Sequence, residues 1–210
     1  MKKYLALLIA LALFSCQGNK DIQLPKADKT IVADVQQHSP IYIFFKVNKK
    51  DTLADVNRKN AIVSTNWIFN IDKRLPLRLI VPELIKLQAK KDGSMHKNEA
   101  AENFFSYAND VKKTMAFLTF TKVKYILGKP QPKRIIYFKK DNTIYVDLVK
   151  VKQENLSTYI FSLKEYGNEV YNLCFDKNCN YNQYIKAKVL ISNLKNTSKG
   201  IAFSNSEYVY

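Results

Sequence analysis

The stretch Asn98–Met115, NEAAENFFSYANDVKKTM, decides how the rest of this chain is read. Ala101, Phe104, Phe105, Ala108, Val111 and Met115 recur at three- and four-residue spacing, which predicts a helix with one apolar stripe. Such a stripe is ordinarily core; the alternative is an exposed face for a partner. Upstream, Ile41–Val47 (IYIFFKV) and Asn66–Ile71 (NWIFNI) are aromatic-rich runs of strand length. A short helix is expected to begin at Pro82. Proline suits a first helical position, Glu83 complements the dipole, and Leu84, Ile85 and Leu87 form a stripe that stops before Asp92-Gly93. Leu118–Leu127 reads as a strand. Residues 31–128 are therefore expected to form a layer of strands covered by helices.

Gly128-Lys129-Pro130-Gln131-Pro132 interrupts the periodic pattern and divides the chain. Beyond it, Arg134–Lys139 (RIIYFK) and Thr143–Val151 (TIYVDLVKV) flank the turn residues Lys140-Asp141-Asn142, which predicts a hairpin. Thr158–Lys164 (TYIFSLK) and Glu169–Phe175 (EVYNLCF) flank Tyr166-Gly167-Asn168 and predict a second. Ile185, Ala187, Val189 and Ile191 alternate with Lys186, Lys188 and Leu190 as in a strand, and Ile201–Val209 supplies the last one. The expected fold class is α+β: an N-terminal strand/helix layer followed by an antiparallel β-meander over 133–210, as one continuous domain or two. Tyrosines and lysines at outward positions of the meander make a candidate binding face, although aromatics favour strands in any case.

The start of the chain speaks to address. Met1-Lys2-Lys3 is basic, Leu5–Cys16 (LALLIALALFSC) is apolar, and a small Ser15 precedes Cys16, the plan of a secretory leader. Its apolar part is far short of the roughly 20 residues that span a bilayer. Leu13-Phe14-Ser15-Cys16 resembles the lipobox of bacterial lipoprotein precursors. That resemblance implies removal of a signal peptide over residues 1–15, diacylglyceryl attachment and N-acylation, as by palmitate, at Cys16, and a tether over residues 16–30. It places the protein in the bacterial cell envelope, held to the membrane through lipid on Cys16. Gln17 and Gly18 lack the Asp that resembles an inner-membrane retention signal, which points to the outer membrane, facing either the periplasm or the exterior. The strand–helix–helix–strand order expected in the first half is also similar to the periplasmic part of ExbD-type transport proteins, on element order alone.

With Cys16 taken for lipid, Cys174 and Cys179 remain as a pair in an oxidising compartment, and a disulfide closing the tight loop between them is expected; two free thiols are the alternative. Four intervening residues are not C-x-x-C spacing, and no second Cys/His pair completes a zinc site, so no metal site and no cofactor are expected. Asp176, Asn178, Asn180 and Asn182 alternate like the start of a calcium loop, but Tyr181 stands where the turn needs Gly and Ala187 where the bidentate Glu belongs. His96, Glu99 and Glu102 share a three-residue spacing, and His38 is the one other histidine. No nucleophile elbow appears around Ser94, and five glycines provide no phosphate-cradling loop.

The formal net charge is +16, yet only Arg58, Arg74, Arg78 and Arg134 among the cations are arginine, and no dense basic block stands out. Nucleic acid is accordingly not expected as a partner, since Arg provides most bidentate phosphate and base recognition. The expected activity is that of a non-enzymatic binding or accessory lipoprotein whose partner is an envelope protein or an anionic envelope component. A protective or inhibitory lipoprotein that binds a toxin or enzyme is the alternative, and an envelope hydrolase using scattered carboxylates a second.

Overall fold

A computed structural model describes residues 21–131, 134–163, 170–197 and 201–210. Cys16 with the whole leader, and the Tyr166-Gly167-Asn168 turn, lie outside the described residues. The architecture is mixed α/β, with three α-helices and two mixed sheets among the described residues.

The first sheet holds β1 (Lys26–Ala27), β2 (His38–Asn48), β3 (Asp51–Asn57), β4 (Asn66–Ile71), β5 (Asn103–Asn109) and β6 (Thr114–Thr119). Strands β2, β4 and β5 run parallel in its centre, while β3 and β6 pair antiparallel at either side. Helix α1 (Leu77–Asp92) connects β4 to β5. It begins five residues ahead of Pro82, which sits inside it, because Leu77 and Arg78 have partners from outside the helix. Their N–H groups donate to the carbonyls of Cys179 and Lys177 at 2.9 and 2.8 Å, so the first turn is already satisfied before the proline is reached.

The helix expected over Asn98–Met115 is a correction. Residues 98–102 form turns, and Asn103–Asn109 is β5, a central strand buried along nearly its whole length. Helical spacing arises there because both faces of the strand are covered, so apolar residues occupy consecutive positions. The turn to β6 is fixed by Asn109, whose Oδ1 accepts from the N–H of Val111 at 3.0 Å and of Lys112 at 2.8 Å, with Lys113 in the left-handed region at φ 57°. Without that helix, the element order that resembled ExbD-type proteins is absent from this half.

The second sheet has the order β10-β9-β8-β11-β12-β7. Its strands are β7 (Lys124–Leu127), β8 (Ile135–Phe138), β9 (Ile144–Val146), β10 (Val149–Val151), β11 (Val170–Phe175) and β12 (Ala202–Val209). The expected hairpin about Lys140-Asp141-Asn142 is present as antiparallel β8 and β9, and β10 extends it. The rest corrects the meander: β8, β11, β12 and β7 are parallel neighbours. Thr158–Ser162 lies in helix α2, Leu156–Ser162, and not in a strand, while Lys164 is outside the described residues. Ile185–Ile191 lies within helix α3, Tyr181–Thr197. Leu118–Leu127 is split, its first part in β6 and its last in β7, one on each sheet.

Helix α3 hid from the periodicity because it is buried on several sides. Tyr184 packs edge-on against Phe105 of the first sheet at 5.9 Å and against Phe175 of the second at 4.9 Å. Its start is a reciprocal cap. Asn180 Oδ1 accepts from the Gln183 N–H at 2.9 Å and Gln183 Oε1 from the Asn180 N–H at 2.9 Å. The next two donors, Tyr181 and Asn182, reach the carbonyls of Leu75 and Lys73. The segment 73–78 and the segment 177–182 thus clasp each other through four backbone hydrogen bonds. The larger hydrophobic cluster, from Ala27 to Val209, draws on both sheets and on all three described helices. No helix among the described residues is long and apolar enough to cross a membrane.

Candidate functional site

Inner and outer faces of the second sheet differ in character. Inward go Tyr125, Ile136, Phe138, Leu173, Phe175, Glu207 and Val209, all buried. Beneath them Lys188 of α3 pairs with Glu207, whose other oxygen accepts from Tyr184 Oη at 2.7 Å; Tyr184 meets Tyr125 Oη at 3.1 Å. Burial, then the Glu207 charge, holds the Tyr125 and Tyr184 hydroxyls well above their ordinary range. Tyr181 Oη has no hydrogen-bond partner among the described residues. This network is buried, with the Lys188 side chain only 9% exposed, and it joins α3 to β12 and β7.

The outer face is built by register. Lys150 pairs with Tyr145, Tyr145 with Tyr137, Tyr137 with Cys174, Cys174 with Tyr208 and Tyr208 with Ile126. One transverse row, Lys150-Tyr145-Tyr137-Cys174-Tyr208-Ile126, therefore crosses all six strands, about 24 Å at the usual interstrand spacing. Its tyrosines are half-buried. At the β8–β9 end lies a groove of about 470 Å³ lined by Ile135, Tyr137, Lys139, Tyr145, Asp147, Leu148 and Tyr210. Tyr137 and Tyr210 stack there with ring centroids 5.1 Å apart and 10° between planes. Lys139 Nζ stands 5.6 Å above the Tyr145 ring. The carboxylate of Asp147 is engaged: one oxygen accepts from Arg134 Nη1 at 3.0 Å, the other from the Ile135 N–H at 2.8 Å. Burial, then the nearby Asp176, pushes the Tyr137 hydroxyl up to about 12, so it serves as a neutral donor or acceptor across the physiological range.

The turn between β9 and β10 bounds the groove. Asp147 and Leu148 both have positive φ, 47° and 81°, a region disfavoured for side chains such as leucine. Leu148 is 97% exposed.

Cys174 and Cys179 are free, buried thiols. They belong to different environments: Cys174 lies in the outer-face row between Tyr137 and Tyr208, whereas Cys179 joins the hydrophobic core, its Sγ 3.6 Å from the Phe138 carbonyl. Burial pushes both thiols up to about 12, which makes them poor nucleophiles. The asparagine-rich segment is consumed by structure. Asp176 accepts from the Asn178 N–H, Asn180 caps α3, and Asn182 Oδ1 accepts from the Lys26 N–H. His96, Glu99 and Glu102 share no helix. Glu99 pairs with Lys97 at 3.1 Å, and His38 Nδ1 bonds the Val35 carbonyl. No group of three or more His, Cys, Asp or Glu that could hold a metal is found among the described residues.

Sequence reasoning reached the tyrosines and lysines of the outer face as strand residues but missed Leu148, whose signal is a leucine in a two-residue turn. It also missed Lys91, a buried lysine of α1 that bonds the Glu102 carbonyl and Asn103 Oδ1 and sits 4.9 Å from the Trp67 ring centroid. Burial depresses Lys91 to about 8. No family model matches the chain, and no curated protein or solved structure matches it either.

Proposed function

We propose that this chain is a membrane-anchored lipoprotein of the bacterial envelope, lipidated at Cys16, that acts as a non-enzymatic binding or accessory module through the outer face of its second sheet. The observation that carries the reading is the transverse tyrosine row ending in Lys150, with the open groove beside Tyr137 and Tyr210. Tyrosine supplies large, rigid contact area with a polar tip and is enriched where proteins meet partners. The lipobox Leu13-Phe14-Ser15-Cys16 supports the anchor.

A photo-crosslinking amino acid at Tyr145 in whole cells should give a defined adduct that the same probe at the 96%-exposed Met95 does not. Identical patterns from the two positions would overturn the binding face. Cys16→Ala should move the protein from the membrane to the soluble fraction, and a variant that stays membrane-bound removes the lipid anchor from the reading.

A further inference from the structure

We infer that the occupant of the tyrosine face is an extended acidic segment of another envelope protein, an inference that rests on the binding reading above. Charge is the first argument. Lys139 and Lys150 flank Tyr145, Lys124 of β7 pairs with Ser206 of β12, and the carboxylates near this face are engaged within the chain: Asp147 by Arg134 and the Ile135 N–H, Asp176 by the Asn178 N–H, and Asp141 by the Thr143 N–H. A second copy of a chain with formal charge +16 would bring the same cations to the same place; a partner carrying carboxylates gains from them.

The first sheet supplies the second argument, because there the chain covers its own outer face. Val32 and Val35 of Ile31–Gln36 (IVADVQ) pack on Ile68, Phe104 and Phe117. Val32 also bridges Phe117 of β6 by backbone hydrogen bonds of 3.0 and 2.8 Å. That cover is extended, carries valines toward the sheet and has Asp34 as its one charge. A segment of like pattern suits the groove, with apolar side chains against Tyr137, Tyr145 and Leu148 and carboxylates toward Lys139 and Lys150. The third argument is Leu148 itself. A leucine held at φ 81° and 97% exposed is a strained apolar projection at the groove's edge, and a contact that buries it returns the cost of holding it there. At about 3.4 Å per residue, roughly seven residues span the row.

The test uses the full lipidated chain in non-ionic detergent and labelled seven-residue peptides. One alternates glutamate with valine, one lysine with valine and one glutamate with serine. Fluorescence anisotropy should show the glutamate–valine peptide binding about tenfold or more tightly than either of the others, with the Lys139→Glu, Lys150→Glu pair cutting that affinity by about tenfold. Leu148→Gly should weaken it several-fold while thermal stability holds or rises, which separates lost contact from lost fold. Equal binding of the lysine–valine peptide, or no effect of the lysine pair, overturns the inference. So does concentration-dependent self-association blocked at Tyr145, or Tyr145-dependent binding to vesicles of anionic lipid in place of the peptide. If crosslinking at Tyr145 succeeds while the acidic peptide fails, the acidic-segment inference alone falls. If both fail, the binding face falls with it.

Discussion

The two sheets of this protein treat their outer sides in opposite ways. On the first, Ile68 and Phe104 lie under Val32 and Val35 and are nearly inaccessible. On the second, Tyr137, Tyr145 and Tyr208 remain half-open and Leu148 is bare. Beneath, among the described residues, each half buries one lysine. Lys188 meets a carboxylate, Glu207, whereas Lys91 has a carbonyl, an amide oxygen and the Trp67 ring. A sheet tied to its helix by a charged pair keeps its position without a cover on the far side; the covered sheet is closed by apolar contacts on both. The contrast teaches that exposure of the second outer face is compatible with a firmly seated sheet.

The strongest way to break the comparison is Lys188→Met. It strands Glu207 in the core and should cost about 3 to 5 kcal/mol in chemical denaturation, and the Lys188→Met, Glu207→Leu pair should recover most of the loss. An equal loss in the double variant would show that the ion pair itself, rather than the stranded carboxylate, carries the cost.

Next comes the cover. Val35→Asp sets a carboxylate over Ile68 and Phe104 and should cost about 2 to 3 kcal/mol, with new binding of a hydrophobic dye. The opposite change on the other sheet, Tyr145→Ser, should stay within about 0.5 kcal/mol; similar costs for both would erase the contrast.

The mildest test compares the lysines by pH. Lys91 titrates near 8 in the folded chain against an ordinary 10.5, so between those values the unfolded chain binds more protons. Stability from this group is therefore lowest below pH 8 and rises as pH climbs through the window. Lys91→Met should flatten that rise, measured as the difference in urea midpoint between the two proteins at pH 7.5 and 9.5. A difference that does not change with pH would remove the buried-cation account.

What the sequence disclosed follows from burial geometry. Asn66–Ile71 is β4 residue for residue, and the β8–β9 hairpin was legible from Asp141-Asn142, because a short aromatic run of strand length and a tight turn both leave local marks even where, as in β4, both faces are buried. Asn103–Asn109 and Tyr181–Thr197 were misread because each is packed from more than one side, which removes the polar phase that distinguishes a period of two from one of 3.6. The cap of α3 was nonetheless written in Asn180-Tyr181-Asn182-Gln183, a reciprocal pair three residues apart. The outer-face tyrosines were visible as residues, but their alignment into a row was not. That alignment depends on parallel pairing of β8, β11 and β12, strands distant in the chain.

The clasp between 73–78 and 177–182 bears on how this molecule comes apart. Strand β7 precedes the Gly128–Pro132 interruption yet docks on β12 at the far end of the chain, and the helix starts on either side of that point hold each other's backbone. A protease that cuts at Lys129 would leave two pieces that travel together through a sizing column. Two separately made fragments, ending and beginning there, should reassemble as a split protein.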